Sequence, residues 1–173
     1  MRIACNLDAF VGGELVDFLF KNHIVVDPDD IAFDHGREVY HYWELKRRDR
    51  PQPCWNELDL MDIYRVAPYM TVKDALDDGD DFCNRYFGSG LAAVLGYDGT
   101  GKKLTDNYSD EALSLIMDVC QTAFRSQQIV QSNGRVTWAS DKDFLNYSCL
   151  YLPIDRDPGV PGHLLSVFDF NVF

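Results

Sequence analysis

The sequence predicts an α+β protein built on an antiparallel sheet with helices on one face. Three observations predict it. From residue 69 onward the apolar patterning runs strand, strand, short helical segments, one long helix and three further strands. Such grouping differs from the βα alternation of a parallel sheet. Residues 109–127 form an amphipathic helix, with Leu113, Ile116, Met117, Cys120 and Phe124 on one stripe. The turn signal Asp77-Asp78-Gly79-Asp80-Asp81 separates two extended runs and so reads as a hairpin.

In order along the chain, residues 1–34 read as an N-terminal extension and 35–173 as the main domain. In the extension, residues 14–22 suit a short helix burying Leu15, Phe18 and Leu19. Ile24-Val25-Val26 then reads as an extended run, stopped by Asp27-Pro28-Asp29-Asp30. The extension is expected to pack on the main domain or on a second copy. Residues 36–48 form a helix with Val39, Tyr42, Trp43 and Lys46 on one face, stopped by Arg50-Pro51-Gln52-Pro53. A second short helix starts at the N-cap Asp59, buries Leu60, Ile63, Tyr64 and Ala67, and ends at Pro68.

Residues 69–73 and 82–87 are the first two strands. Ser109 is placed to cap the long helix, and Asp110 and Glu111 suit its positive end. Residues 128–137 form a strand interrupted by Asn133-Gly134. Residues 144–154 are the longest strand, and residues 164–170 the last, after a Pro- and Gly-rich loop over 155–162.

A chain of 173 residues is one domain plus extra elements. Its net charge of −12, with 16 Lys and Arg against 28 Asp and Glu, argues against a nucleic-acid partner, whose phosphates need cations. The one basic cluster, Lys46-Arg47-Arg48-Asp49-Arg50, ends a helix, where it complements the dipole. No run approaches the roughly 18 apolar residues of a membrane span, and the N-terminus lacks a signal-peptide pattern. A cytoplasmic protein with no membrane partner is the expectation. Five widely spaced cysteines, never in a C-x-x-C pair, fit reduced thiols better than disulfides or zinc.

Catalytic motifs fare poorly. Gly96 to Lys102 matches G-x-x-x-x-G-K, but Lys103 replaces the magnesium-binding Ser or Thr. A helical segment, rather than a strand, precedes this loop, and no good helix begins at its lysine. The acidic turn at 77–81 lacks the calcium-loop pattern. His23, His35, His41 and His163 form no metal pair, and Ser89 stands in no nucleophile elbow. No catalytic residue and no metal site are assigned, and a non-catalytic protein is expected.

Phe82-Cys83-Asn84-Arg85-Tyr86-Phe87-Gly88-Ser89, then Leu91, then Gly96-Tyr97-Asp98-Gly99-Thr100-Gly101-Lys102-Lys103-Leu104, resembles a family of bacterial stand-alone PAS-like proteins. The shared pattern is an aromatic strand with an arginine, a Gly-Ser or Gly-Thr end, a short helix and a Gly-x-Asp-x-Thr-Gly turn. Tyr42-Trp43, the Pro51/Pro53 break and residues 59–68 are also similar, and the resemblance covers residues 36–171. It implies a PAS fold: a five-stranded antiparallel sheet, a belt of short helices, and a long helix returning to the third strand. It also implies a sensory or regulatory role in signal transduction. No effector segment follows Phe173, so a homodimer or an effector protein is the expected partner.

The resemblance places any small-molecule ligand between the sheet and the short helices. Candidates for the lining are Phe87, Leu91, Leu95, Tyr97, Leu104, Tyr108, Met117, Tyr147, Cys149 and Tyr151. Each could equally fill the core, which leaves an interaction or dimerisation module with no ligand as the alternative. The cofactor is left unassigned: nothing specific supports a haem or a flavin, and His163 is a weak axial-ligand candidate. Arg85, Gly88, Gly96, Asp98, Thr100 and Gly101 are expected to be structural, with Asp98 and Thr100 tying turns by side-chain hydrogen bonds.

Overall fold

The sheet has six antiparallel strands, one more than expected. The computed structural model describes residues 20–25, 27–136, 141 and 145–172. Its elements are β1 (Phe20–Ile24), α1 (Asp34–Arg47), β2 (Met70–Leu76), β3 (Asp81–Phe87), α2 (Ser89–Leu95), α3 (Leu104–Asn107), α4 (Asp110–Ser126), β4 (Val130–Arg135), β5 (Leu145–Asp157) and β6 (Val160–Val172). The strand order is β1-β4-β5-β6-β2-β3. β2 to β6 supply the five expected strands, and β1 adds to the free edge of β4, from Phe20 opposite Gly134 to Ile24 opposite Val130. The helix expected over 14–22 lies mostly outside the described residues, and its last three residues belong to β1.

Two apolar layers sandwich the sheet. On the inner face, α2, α3 and α4 press Leu91, Leu95, Leu104, Ile116, Val119, Cys120 and Phe124 against Phe82, Phe87, Tyr147, Cys149, Tyr151 and Leu164. Phe82 meets Phe124 edge-on at 5.8 Å. On the outer face, Ile31, Phe33, Val39, Tyr42, Trp43, Ile63 and Val66 cover Met70, Val72, Leu150, Leu152, Ile154, Leu165 and Val167. Trp43 fixes α1 there by donating Nε1–H to the carbonyl of Pro153 at 2.9 Å. The α+β class stands, but helices cover both faces. Most of β5 and β6 is therefore buried on both sides, as in a sheet with no solvated face.

Residues 59–69 form two 3-10 turns, Leu60–Ile63 and Ala67–Tyr69, in place of an α-helix. Asp59 caps the first by accepting from Met61 N at 2.9 Å. Ile63 and Ala67 are buried as expected, whereas Tyr64 is exposed. Ser109 is the N-cap of α4, but its side chain makes no cap hydrogen bond. Asn133-Gly134 does not turn. Both residues sit within β4 and are paired on one side with β1 and on the other with β5, and ladder bonding on two sides outweighs turn propensity. The 155–162 loop shrinks to a tight turn at Pro158-Gly159, where Asp155 Oδ2 accepts from Gly159 N at 2.8 Å.

The basic cluster is paired locally: Lys46 with Asp62 at 3.0 Å, Arg47 with Glu44 and Arg50 with Glu57. Cys54, Cys83, Cys120 and Cys149 are free thiols, and Cys5 lies outside the described residues. No helix among the described residues is long and apolar enough to cross a membrane.

Candidate functional site

Between the inner face of the sheet and the short-helix belt lies a cavity of about 30 Å³, room for one or two waters. Thr71 and Lys73 of β2, Asn84 and Phe87 of β3, Tyr147 and Tyr151 of β5 and Phe168 of β6 form the sheet wall. Leu91 and Leu95 of α2, Tyr108, and Ile116 and Val119 of α4 form the opposite wall.

Six of the ten sequence-predicted candidates thus meet here: Phe87, Leu91, Leu95, Tyr108, Tyr147 and Tyr151. The other four do not line the cavity. Tyr97 stands behind Tyr108, their hydroxyl oxygens 2.7 Å apart. Leu104 and Cys149 are fully buried in the packed core, and Met117 is half-buried at its margin. Sequence reasoning missed Thr71, Lys73, Asn84, Ile116, Val119 and Phe168. The helical stripe named Ile116 as apolar, but nothing in the strand pattern named Lys73.

Lys73 is the unusual member. Only 4% of its surface is exposed. Its Nζ donates to Thr71 Oγ1, reaches Ser166 Oγ at 3.5 Å, and lies 5.9 Å from the centroid of the Tyr151 ring. Among the described residues it forms no ion pair with a carboxylate. Burial pushes the ammonium below the ordinary lysine range, because the charged form loses its water. Cross-strand from Lys73 is Asn84, whose Oδ1 is buried with no donor among the described residues while its Nδ2 donates to Gly99 O at 3.3 Å. Burial raises the hydroxyls of Tyr108, Tyr147 and Tyr151, and pushes the Cys120 thiol up to about 11. These groups stay protonated and neutral.

The stretch after α2 is what places this wall. Gly96, with φ 82°, closes α2 in the left-handed conformation. Asp98 Oδ1 then accepts from Thr100 N at 2.9 Å and from the Thr100 hydroxyl at 2.7 Å. The tied turn docks on the free edge of β3: Gly101 N donates to Asn84 O at 2.7 Å, and Asn84 N to Lys102 O at 3.0 Å. The loop with nucleotide-motif spacing thus covers a sheet edge. The Thr100 amide, then its hydroxyl, hold the Asp98 carboxyl below the ordinary value of 3.8. Asp98→Ala should lower the melting temperature at neutral pH, and an unchanged melt would contradict this. The stabilisation is present above the unfolded value and is lost as pH falls through the lower folded one.

A family model described as PAS domain matches residues 33–168. The chain belongs to the PAS domain family. Solved PAS-type structures are similar at low identity. A fungal LOV domain photoreceptor is 14% identical with a TM-score of 0.43, covering 66% of this chain and 93% of its own. The N-terminal domain of a diguanylate cyclase with PAS/PAC sensor from Marinobacter aquaeolei is 14% identical with a TM-score of 0.42, covering 58% and 93%. A single-substitution variant of Drosophila melanogaster Cycle PAS-B with bound glycerol is 11% identical with a TM-score of 0.39, covering 60% and 99%. No curated protein matches the chain.

Within this PAS domain two expected features lie away from the cavity. Arg85 is the extra residue of a bulge in β3, where Val72 pairs with Tyr86 and Lys73 with Asn84. Its guanidinium pairs with Asp74 at 2.8 Å and lies over the Trp55 ring. His163 also turns to the outer side, with Nδ1 2.8 Å from Asp74 Oδ1. That orientation removes it as an axial ligand for anything held in the cavity.

Proposed function

We propose that this PAS domain is a non-catalytic sensory or regulatory module of the cytoplasm. In this reading it holds a small ligand between the sheet and the α2–α4 belt and signals through a second copy or an effector protein. Residues 1–34 are an extension to the 35–173 domain, with β1 the part of it taken up by the sheet. The observation that carries the reading is Lys73. A buried amine with no acidic partner is costly to keep, and this one lies on the wall of a cavity that Asn84 also lines, its Oδ1 without a donor among the described residues. Perturbed, buried titratable groups that line a cavity are candidates for functional sites.

A second reading is an interaction or dimerisation module with a filled core. The cavity volume favours it, since small-molecule pockets commonly enclose about 300–1,000 Å³. Leu45 and Met61, 74% and 72% exposed on the outer layer, favour it too.

Native mass spectrometry with an absorbance scan, followed by methyl NMR of Leu91, Leu95, Ile116 and Val119, separates the two readings. The ligand reading predicts a co-purified small molecule, or methyl shifts confined to these residues when a mixture of small metabolites is added. An empty protein whose cavity methyls ignore the mixture would overturn it. A dimer by light scattering would then support the second reading.

A further inference from the structure

We propose that the cavity is a site for a short-chain monocarboxylate, with Lys73 receiving the carboxylate and the α2–α4 wall seating the alkyl end. This rests on the ligand-pocket reading and names the class of ligand. The two walls differ in chemistry. The sheet side brings Thr71, Lys73, Asn84 and Tyr151, while α2 and α4 bring only Leu91, Leu95, Ile116 and Val119. A ligand polar at one end and apolar at the other matches that division.

The polar end needs a negative charge. An ammonium has three donors. Those of Lys73 find the neutral hydroxyls of Thr71 and Ser166, which leaves a donor and an uncompensated charge. The titratable groups facing it are Cys149, Tyr147 and Tyr151 of β5, Cys120 of α4, and Tyr108 just before α4. All are neutral, and burial raises the pKa of each. The cavity-lining residues of α2, β3 and β6 carry no titratable group. A bound carboxylate therefore meets one cation and no competing anion at Lys73, and sits away from the Asn84 carbonyl, an acceptor that it cannot bond. A second carboxylate would stand among leucine and isoleucine side chains, which excludes dicarboxylates. The volume of about 30 Å³ admits the smallest acids in place of water, while longer tails require α2 to move outward.

The test is calorimetry and methyl NMR on the full chain with formate, acetate and propionate. Acetamide and ethanol serve as neutral probes, succinate as a dianion, and sodium chloride as the ionic-strength control. Formate and acetate should shift the methyls of Leu91, Leu95, Ile116 and Val119, propionate should bind more weakly because α2 must move to seat it, and succinate and chloride should not shift them. Acetamide, or acetate on Lys73→Met, should bind more weakly by about tenfold or more. Because the acid binds the ammonium form, the wild-type protein should take up protons on binding, by a fraction that rises as pH is raised toward the ordinary lysine value. If the neutral probes shift the cavity methyls and the acids do not, or if Lys73→Met binds acetate as tightly, the carboxylate assignment falls and the pocket reading stands. If no probe moves these methyls, both fall. Proton uptake that does not change with pH would overturn the role of Lys73, and this measurement needs no variant.

Discussion

Lys73→Met is expected to melt above the wild-type protein. Methionine has the length and flexibility to follow the lysine stem, and the loss of the amine as partner to the buried Thr71 and Ser166 hydroxyls offsets part of the gain. What the substitution removes is the cost of a buried amine with no counter-charge. Replacing buried charged groups by apolar ones stabilises by about 1–4 kcal/mol in favourable cases. A gain of about 2 kcal/mol corresponds to roughly 4–8 °C in a chain of this size.

The pH dependence carries a sign. The folded pKa of Lys73 lies below the unfolded one, so between the two values the unfolded chain binds more protons. Stability of the wild-type protein therefore rises with pH across that interval and reaches its full value near the ordinary lysine value of 10.5. Lys73→Met should lack that rise, so the two melting curves should converge at high pH. A variant that melts lower than wild type at neutral pH, or a gap that does not narrow on raising pH, would contradict this account.

Gly88→Ala should be among the most damaging single-methyl additions in the chain. Gly88 has an ordinary φ of −64°, so its backbone would accept alanine; the space does not. A Cβ there would lie 2.2 Å from Pro68 O and 2.5 Å from Pro68 C. Both are backbone atoms of the segment leading into β2, and the Gly88 amide is itself bonded to Met70 O at 2.9 Å. Relief requires moving the start of α2, and with it Leu91 and Leu95 over the cavity. Overpacking of this kind costs about 3 kcal/mol or more.

Gly96 and Gly101 make the contrast. A Cβ at either meets nothing within 4 Å, and only their φ values of 82° and 72° resist substitution. Alanine at each should cost about 1 kcal/mol. Chemical denaturation of the three variants checks the order, and a Gly88→Ala protein as stable as Gly96→Ala would contradict the close approach at Pro68.

Much of the inner layer was legible in the sequence because its signals are local. The stripe of α4, the β2–β3 hairpin and the Asp98–Thr100 tie each depend on residues close together in the chain. Signals failed where distant partners decided. Asn133-Gly134 is a turn dipeptide held straight by strands on both sides. Residues 59–69 have helical spacing, but buried Ile63, Val66 and Ala67 pack on the sheet as 3-10 turns. The pattern G-x-x-x-x-G-K has phosphate-loop spacing, yet its backbone bonds to Asn84.

The sequence by itself determined the α+β class, the order of elements from β2 onward, the family, and six of the cavity-lining residues. Only the tertiary structure decided which way β2 faces. In Met70-Thr71-Val72-Lys73 the apolar residues alternate with the polar ones, which in a one-sided sheet would send Met70 and Val72 inward and Lys73 to water. Here α1 covers the outer face, Met70 and Val72 are buried against that layer, and Thr71 and Lys73 turn toward the cavity. A period of two names two faces without saying which is which. The choice came from the layer that α1 supplies, and it put Lys73, a buried cation with no acidic partner among the described residues, into the cavity wall.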